Sequence, residues 1–219
     1  MFKEGELVGD IGAKEYFQSL YKEDSKLIQQ LERYAEEYNV PIIEKDSIEL
    51  LKQLIRIHQP KRILEIGTAI GYSAIQMASA YGNSFITTIE MDEYRYEEAV
   101  KHIKEALLDH RIEVILQRGE TYIENLSKSS TFDFVFIDAA KAQYQSYVEL
   151  IDPHLKPHGL IVIDNVYFKG YVMEENNASK RLQKLGQKIN HFNKWLIEND
   201  AYDTTFVASG DGLAIAIKK

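Results

Sequence analysis

Two apolar stretches of the sequence stop abruptly on oxygen-bearing side chains. Phe132, Phe134, Val135, Phe136 and Ile137 form a short run rich in aromatic and β-branched residues, which ends at Asp138 with Lys141 just beyond it. The run LIVI, which begins at Leu160, leads into Asp164 and Asn165. Such runs suit strands buried on both faces of a parallel sheet, and open α/β sheets collect ligands at the carboxyl ends of their strands. A carboxylate placed there can hold a cation, and a lysine close by can exchange a proton. A lone strand-end Asp is more often a helix cap. The second stretch, with the same ending, is what favours chemistry here.

A third stretch, ILEIGTAIGYS from Ile63 to Ser73, reads as strand, glycine turn and helix start. Gly67 and Gly71 let the backbone approach a ligand closely, and the helix that follows presents unpaired N–H groups. A nicotinamide dinucleotide site would want G-x-G-x-x-G, and the spacing here does not match. Glu65 beside the loop is poorly suited to a phosphate and well suited to an ammonium or sulfonium. Glu90 ends the next strand, where a carboxylate can accept both ribose hydroxyls of an adenosine. Taken singly, Glu65 could be a solvated acid and Glu90 a helix-capping neighbour; with the loop between them, an adenosyl ligand is the better reading.

The elements that must position these residues follow from periodicity. Residues 12–58 read as helices: 25–38 carries Leu27, Ile28, Leu31, Tyr34, Ala35 and Tyr38 on one stripe, and 46–58 buries Ile48, Leu51, Leu54 and Ile55. Their apolar faces need a sheet for cover, so residues 1–60 form a helical preface to a core over 61–219 rather than a separate domain. From Ile63 strands (63–66, 85–89, 111–116, 132–137, 160–163) alternate with amphipathic stretches (72–80, 92–107, 145–155). That alternation predicts an α/β fold with a doubly wound, mostly parallel sheet and right-handed crossovers. A polar helix over 178–198 and two strand-like runs, 203–208 and 213–217, joined by Ser209-Gly210-Asp211-Gly212, predict an antiparallel C-terminal hairpin and a seven-stranded total.

Composition narrows the function classes. The 219 residues contain no cysteine, which excludes disulfides, thiolate catalysis and thiolate-held zinc and suits a reducing compartment. The N-terminal residues lack the apolar core of a secretion signal and no run approaches a membrane span, so a cytoplasmic location without membrane attachment is expected. A formal charge of −8 argues against non-specific nucleic-acid binding, although a local basic face could still bind RNA. Lys180, Lys184 and Lys188, with Arg181 alongside, make such a stripe, which is usually only a solvated face; Lys169 in the loop after Asn165 adds to it. The six histidines show no metal spacing, and His154 and His158, flanking Pro157, are expected in a solvated loop. Phe192 and Trp195 read as core or subunit-contact residues.

EIGTAIGYSA, the pentad IDAAK and DNVYFKG, in this order and at these strand ends, resemble the metal-dependent O-methyltransferase family that includes catechol and caffeoyl-coenzyme A methyltransferases. VPIIEK, FIDAAKAQY, NHFNKWL and GDGLAI are further similar to its bacterial tRNA 5-hydroxyuridine methyltransferase branch. The resemblance implies a Rossmann-like methyltransferase fold in which Glu65, Gly67 and Ser73 line an S-adenosylmethionine site, with Glu90 on the ribose. Gly119 and Glu120 of RGET would lie near the adenine, Ile43 of VPIIEK would cover the cofactor, and Asp138 would border it. Asp138, Asp164 and Asn165 would hold Mg²⁺ or another hard divalent cation. The family's D-N-V-L-W-x-G stands here as DNVYFKG, so Tyr167 and Phe168 reshape the substrate wall.

Two carboxylates and an amide oxygen are hard ligands suited to such an ion, which would lower the pKa of a chelating hydroxyl. Catechol has the neighbouring oxygens this needs, and so does 5-hydroxyuracil. Lys141 is the candidate base, with surface lysine its bland alternative. The resemblance thus implies methylation of wobble 5-hydroxyuridine in tRNA to 5-methoxyuridine, by a homodimer whose helical preface forms the contact. The alternatives are an O-methyltransferase of small catechols or phenolic acids, an NAD(P)-dependent oxidoreductase, and a non-catalytic adenosyl-binding protein.

Overall fold

The structure, a computed structural model, describes residues 6–173 and 179–219. Three helices open it: α1 (Glu6–Leu20), α2 (Lys26–Glu37) and α3 (Lys45–His58). The sequence places the first helical residue near Gly12; α1 begins earlier. Ser25 caps α2 by accepting from Ile28 N, and α2 buries Ile28, Leu31 and Ala35. Tyr38, expected on the same stripe, is the C-cap residue and is exposed, its ring stacked on Tyr34. In α3, Ile48, Leu51 and Ile55 are fully buried, and Gln59 in the left-handed region ends the helix before Pro60.

The alternating core follows as β1 (Arg62–Ile66), α4 (Tyr72–Ala80), β2 (Phe85–Glu90), α5 (Glu93–Glu105), β3 (Ile112–Leu116), α6 (Gly119–Glu124), β4 (Phe132–Ile137), α7 (Tyr144–Ile151) and β5 (Leu155–Ile163). It ends with α8 (Lys180–Glu198), β6 (Tyr202–Val207) and β7 (Leu213–Lys218). The expected start of the long helix at Ala178 lies outside the described residues; Ser179 caps α8 through Leu182 N. The seven strands form one sheet in the order β3-β2-β1-β4-β5-β7-β6. The first five are parallel, and the C-terminal hairpin joins antiparallel to β5, as its turn signal predicts.

Period-two alternation sorts the core into two layers. Ile63, Phe134, Phe136 and Val162 pack with α2 to α5 on one face, while Leu64, Ile66, Val135, Ile137 and Ile163 pack on the other with Tyr144, Tyr147, Phe192 and Leu196 from α7 and α8. Trp195 packs partly buried against this second layer, in keeping with a core role.

Three local expectations need correction. The amphipathic stretch 145–155 is a shorter helix ending at Ile151, because Pro153 draws the chain into a 3₁₀ turn over Asp152–His154. The strand then starts at Leu155 rather than Leu160, since Leu155 pairs with Phe132 before the register shifts. His154 consequently is not solvated: it is 9% exposed and its Nδ1 lies 2.9 Å from the Ser130 carbonyl oxygen. His158 is exposed as expected.

Candidate active site

At the carboxyl end of the sheet, on the β1–β2 side, the glycine turn is built around two carboxylates. Glu65 is fully buried within β1, and its oxygens accept from the Ser73 hydroxyl and, at 2.5 Å, from Thr88 Oγ1. Burial outweighs those two bonds and pushes its carboxyl up to about 8. Glu90, at the end of β2, accepts at Oε2 from Ala69 N (2.9 Å) and at Oε1 from Met91 N (2.8 Å) and Asp92 N (2.9 Å). It therefore fixes the glycine turn from below and leaves little of itself exposed.

Gly67 has φ +104°, and a Cβ there would lie 2.0 Å from the Asp138 carbonyl oxygen. Only glycine permits this approach, which joins the turn to the end of β4. Gly119 is also sterically required: a Cβ would meet Ile66 Cγ2 at 2.8 Å. Burial raises the Tyr147 phenol's pKa, and Glu120, beside Gly119 in the first turn of α6, stands close enough to raise it further. Ile43 is buried in the layer that also contains Ile70 and Tyr72, so the preface does reach the glycine-turn side of the sheet.

The β4–β5 side has a different character. Because Ile137 pairs with Ile163 and Asp164 N donates to Ile137 O (3.0 Å), Asp138 and Asp164 leave the sheet side by side. Burial and then the neighbouring Asp138 raise the Asp164 carboxyl; burial raises Asp138 while the Lys141 charge opposes it. Lys141 stands in a 3₁₀ turn, Lys141–Gln143, rather than within the following helix, with its Nζ against Asn165 Oδ1 and over the Phe168 ring. Burial lowers its ammonium pKa against the pull of Asp138, Asp164 and Asp211. Tyr144 donates its hydroxyl to the Asp164 carbonyl (2.8 Å) and Asn165 N donates to Asp164 Oδ1 (2.7 Å).

The structure thus gathers Asp138, Asp164, Asn165 and Lys141 into one cluster, and Glu65, Gly67, Ser73 and Glu90 into another joined to it through Gly67. Among the described residues no group of three His, Cys, Asp or Glu side chains converges; the acidic pair is completed here by an amide. The donor chemistry fits a hard cation: two adjacent carboxyls repel each other, and the amide oxygen next to them meets a positive charge. Sequence reasoning missed Asp211, which reads as an ordinary turn residue yet acts electrostatically on Lys141 and Asp164. Nothing in the local pattern reveals that the hairpin turn folds back beside β5.

A sequence model of the O-methyltransferase family matches residues 18–219. The chain is 34% identical over 177 residues to a catechol O-methyltransferase of Niastella koreensis, covering 77% of this chain and 78% of that protein. Among solved structures, a Staphylococcus aureus chain classed with the caffeoyl-CoA O-methyltransferases superposes with a TM-score of 0.88 at 36% identity, covering 96% of this chain and 100% of the other. An O-methyltransferase from Bacillus cereus, in complex with SAH, gives 0.82 at 26% identity, covering 95% and 96%. The Rossmann-like methyltransferase fold is thereby established, and the nicotinamide-dependent and non-catalytic readings fall away. The chain belongs to the catechol and caffeoyl-coenzyme A type of O-methyltransferases and is an S-adenosylmethionine-dependent enzyme.

Proposed function

We propose that this enzyme methylates a hydroxyl that stands next to a second oxygen on its acceptor, with a divalent cation such as Mg²⁺ held by Asp138, Asp164 and Asn165. The observation that carries this reading is the side-by-side exit of Asp138 and Asp164 from β4 and β5, with Asn165 and Lys141 in contact beside them. When bound, a hard cation supplies Lewis acidity that lowers the acceptor hydroxyl's pKa and fixes its orientation. Lys141, biased by burial toward its neutral amine, takes the hydroxyl proton at Nζ. As the methyl moves, the carbon–sulfur bond of the donor breaks and the new oxygen–carbon bond forms. Glu65, Gly67, Ser73, Glu90, Gly119, Glu120 and Ile43 hold the donor side, with Asp138 at the boundary between the two halves.

The acceptor best supported by the relatives is a small catechol or phenolic acid, in keeping with what the matched enzymes are called. One observation favours a second acceptor, 5-hydroxyuridine in tRNA. Lys184, Lys188 and His191 of α8 line, together with Lys141, a cavity of about 390 Å³ on the flank of the site, and Lys194 continues the exposed row. A basic row leading to the base-proximal lysine suits a phosphate backbone, in an otherwise acidic chain. Methyl transfer assayed in parallel on catechol and on hydroxylated tRNA, each with and without Mg²⁺, decides between them. Turnover of catechol alone removes the RNA reading; loss of 5-methoxyuridine from the tRNA of a deletion strain establishes it.

Family likeness also supports a homodimer. Tyr16, Phe17 and Leu20 of α1 are 60%, 56% and 60% exposed, an apolar row on the preface that a second copy would cover. Leu20→Glu is expected to shift the sedimentation coefficient to that of a monomer; a wild-type chain already monomeric at micromolar concentration rules the dimer out.

A further inference from the structure

The loop that carries Asn165 is held by a turn to which the proposed chemistry assigns no part. Asn165, Phe168 and Lys169 have φ of 58°, 49° and 52°, although none is glycine. Left-handed non-glycine residues are strained and persist only where their surroundings over-determine them. Here the surroundings are the turn between β6 and β7. Val166 N donates to Gly212 O (3.1 Å) and Tyr167 N to Asp211 O (2.9 Å). Lys169 N donates to the Asp211 carboxylate at 2.5 Å, the one side-chain bond of the three.

The fit is close as well as polar. Gly212 has φ +84°, and a Cβ on it would lie 2.8 Å from Tyr167 Cβ. On its far side the same turn meets the preface: Ser209 Oγ lies 3.4 Å from Ser47 Oγ, and a Cβ on Gly210 would lie 3.1 Å from Glu44 Cβ. The turn therefore stands between the segment that follows Ile43 and the loop that presents Asn165. From α8, Asn193 Nδ2 adds a bond to Val166 O (2.9 Å).

We infer that Asp211 is a positioning residue: by accepting the Lys169 amide it locks the 165–169 loop in its left-handed course, and so sets the affinity of Asp138, Asp164 and Asn165 for a divalent cation. This rests on the cation reading above. Partners that orient metal ligands from outside typically govern affinity by about 10–100-fold. An asparagine at the position keeps an acceptor oxygen for Lys169 N and removes only the charge, so the two variants separate a brace from an electrostatic effect.

The test is Mn²⁺ binding to the full chain, measured by electron paramagnetic resonance without any acceptor, alongside S-adenosylmethionine binding by calorimetry. Asp211→Ala is expected to weaken Mn²⁺ by about 10–100-fold, Asp211→Asn to stay within about threefold of wild type, and both to keep the methyl donor's affinity within about twofold. Asp164→Ala, expected to bind no Mn²⁺, is the reference for a lost site. Wild-type affinity in Asp211→Ala overturns the brace and leaves the cation reading standing; a wild-type chain that binds no Mn²⁺ overturns both. Equal weakening in the two Asp211 variants assigns the effect to charge and also overturns the brace. Should Asp211→Ala fail to fold, Asp211→Ser, whose shorter side chain suits a turn but does not reach Lys169 N as the carboxylate does, takes its place with the same expected loss of Mn²⁺ affinity, and wild-type affinity in it overturns the proposal.

Discussion

The proposed donor half and the proposed acceptor half of the site differ in how their buried carboxyls and turns are held. Around β1 and β2 the two buried carboxyls have hydrogen-bond partners within the chain: Glu65 is bonded by two hydroxyls, Glu90 by three backbone amides, and the turn's positive φ angles fall mostly on glycines. Around β4 and β5 two carboxyls face each other in a buried setting, and the positive φ angles fall on Asn165, Phe168 and Lys169. The oxygens of the first half are bonded within the fold, although burial still holds the Glu65 carboxyl up at about 8. The second half holds carboxyl repulsion that Lys141 relieves only in part, and backbone strain that packing elsewhere must offset, a pattern typical of a site awaiting a ligand. A self-satisfied pocket can bind its ligand without help; a repelling one needs a counter-charge.

The comparison can be broken most severely at the acceptor side. Asp138→Ala or Asp164→Ala is expected to lower turnover by more than about a hundredfold, beyond what outer partners of metal ligands cost, and in Asp164→Ala, away from the donor boundary, calorimetry should show the donor's dissociation constant nearly unchanged. A parallel loss of donor binding would mean that the two halves are not separable. Next in size is Gly67→Ala, which forces a methyl against the Asp138 carbonyl and a left-handed φ on alanine. Thermal unfolding should show a loss of about 3 kcal/mol or more, and both halves should suffer, because this contact is where they meet.

Glu90→Ala sharpens the contrast more gently. Three backbone donors lose their acceptor, so stability should fall by about 1–3 kcal/mol and the donor's dissociation constant should rise by roughly tenfold. An unchanged dissociation constant takes Glu90 out of the cofactor site. The smallest effect concerns pH. Glu65 is raised from an ordinary 4.5 to about 8, so the stability its protonation confers is fully present below about 4.5 and lost as pH rises toward 8. Glu65→Gln, neutral throughout, should therefore show a shallower decline in chemical-denaturation stability between those limits. Identical slopes in the two proteins would place the Glu65 carboxyl at its ordinary value.

Much of this arrangement can be read from one dimension. The strand ends at Asp138 and Asp164 are legible because buried parallel strands are short apolar runs, and the glycine turn because its steric need falls on Gly67 and Gly71. The hairpin is legible from residues 209–212, but its second role is not: Asp211 reaches Lys169 only because β7 inserts beside β5, a long-range pairing no local pattern encodes. The burial of His154 is hidden for a related reason, since Pro153 and the Leu155–Phe132 pairing enclose a residue whose neighbours look like a loop. Gly186 gave no signal either, although a Cβ on it would strike the Tyr171 carbonyl at 2.0 Å and α8 could not approach.

The central claim is that the donor half works alone while the acceptor half depends on a cation. Methyl transfer to a catechol acceptor, measured in EDTA and again after Mg²⁺ is restored, tests it most directly when S-adenosylmethionine binding is followed in the same solutions. Turnover should vanish in EDTA and return with Mg²⁺, with donor binding constant throughout. Undiminished turnover in EDTA would contradict the claim.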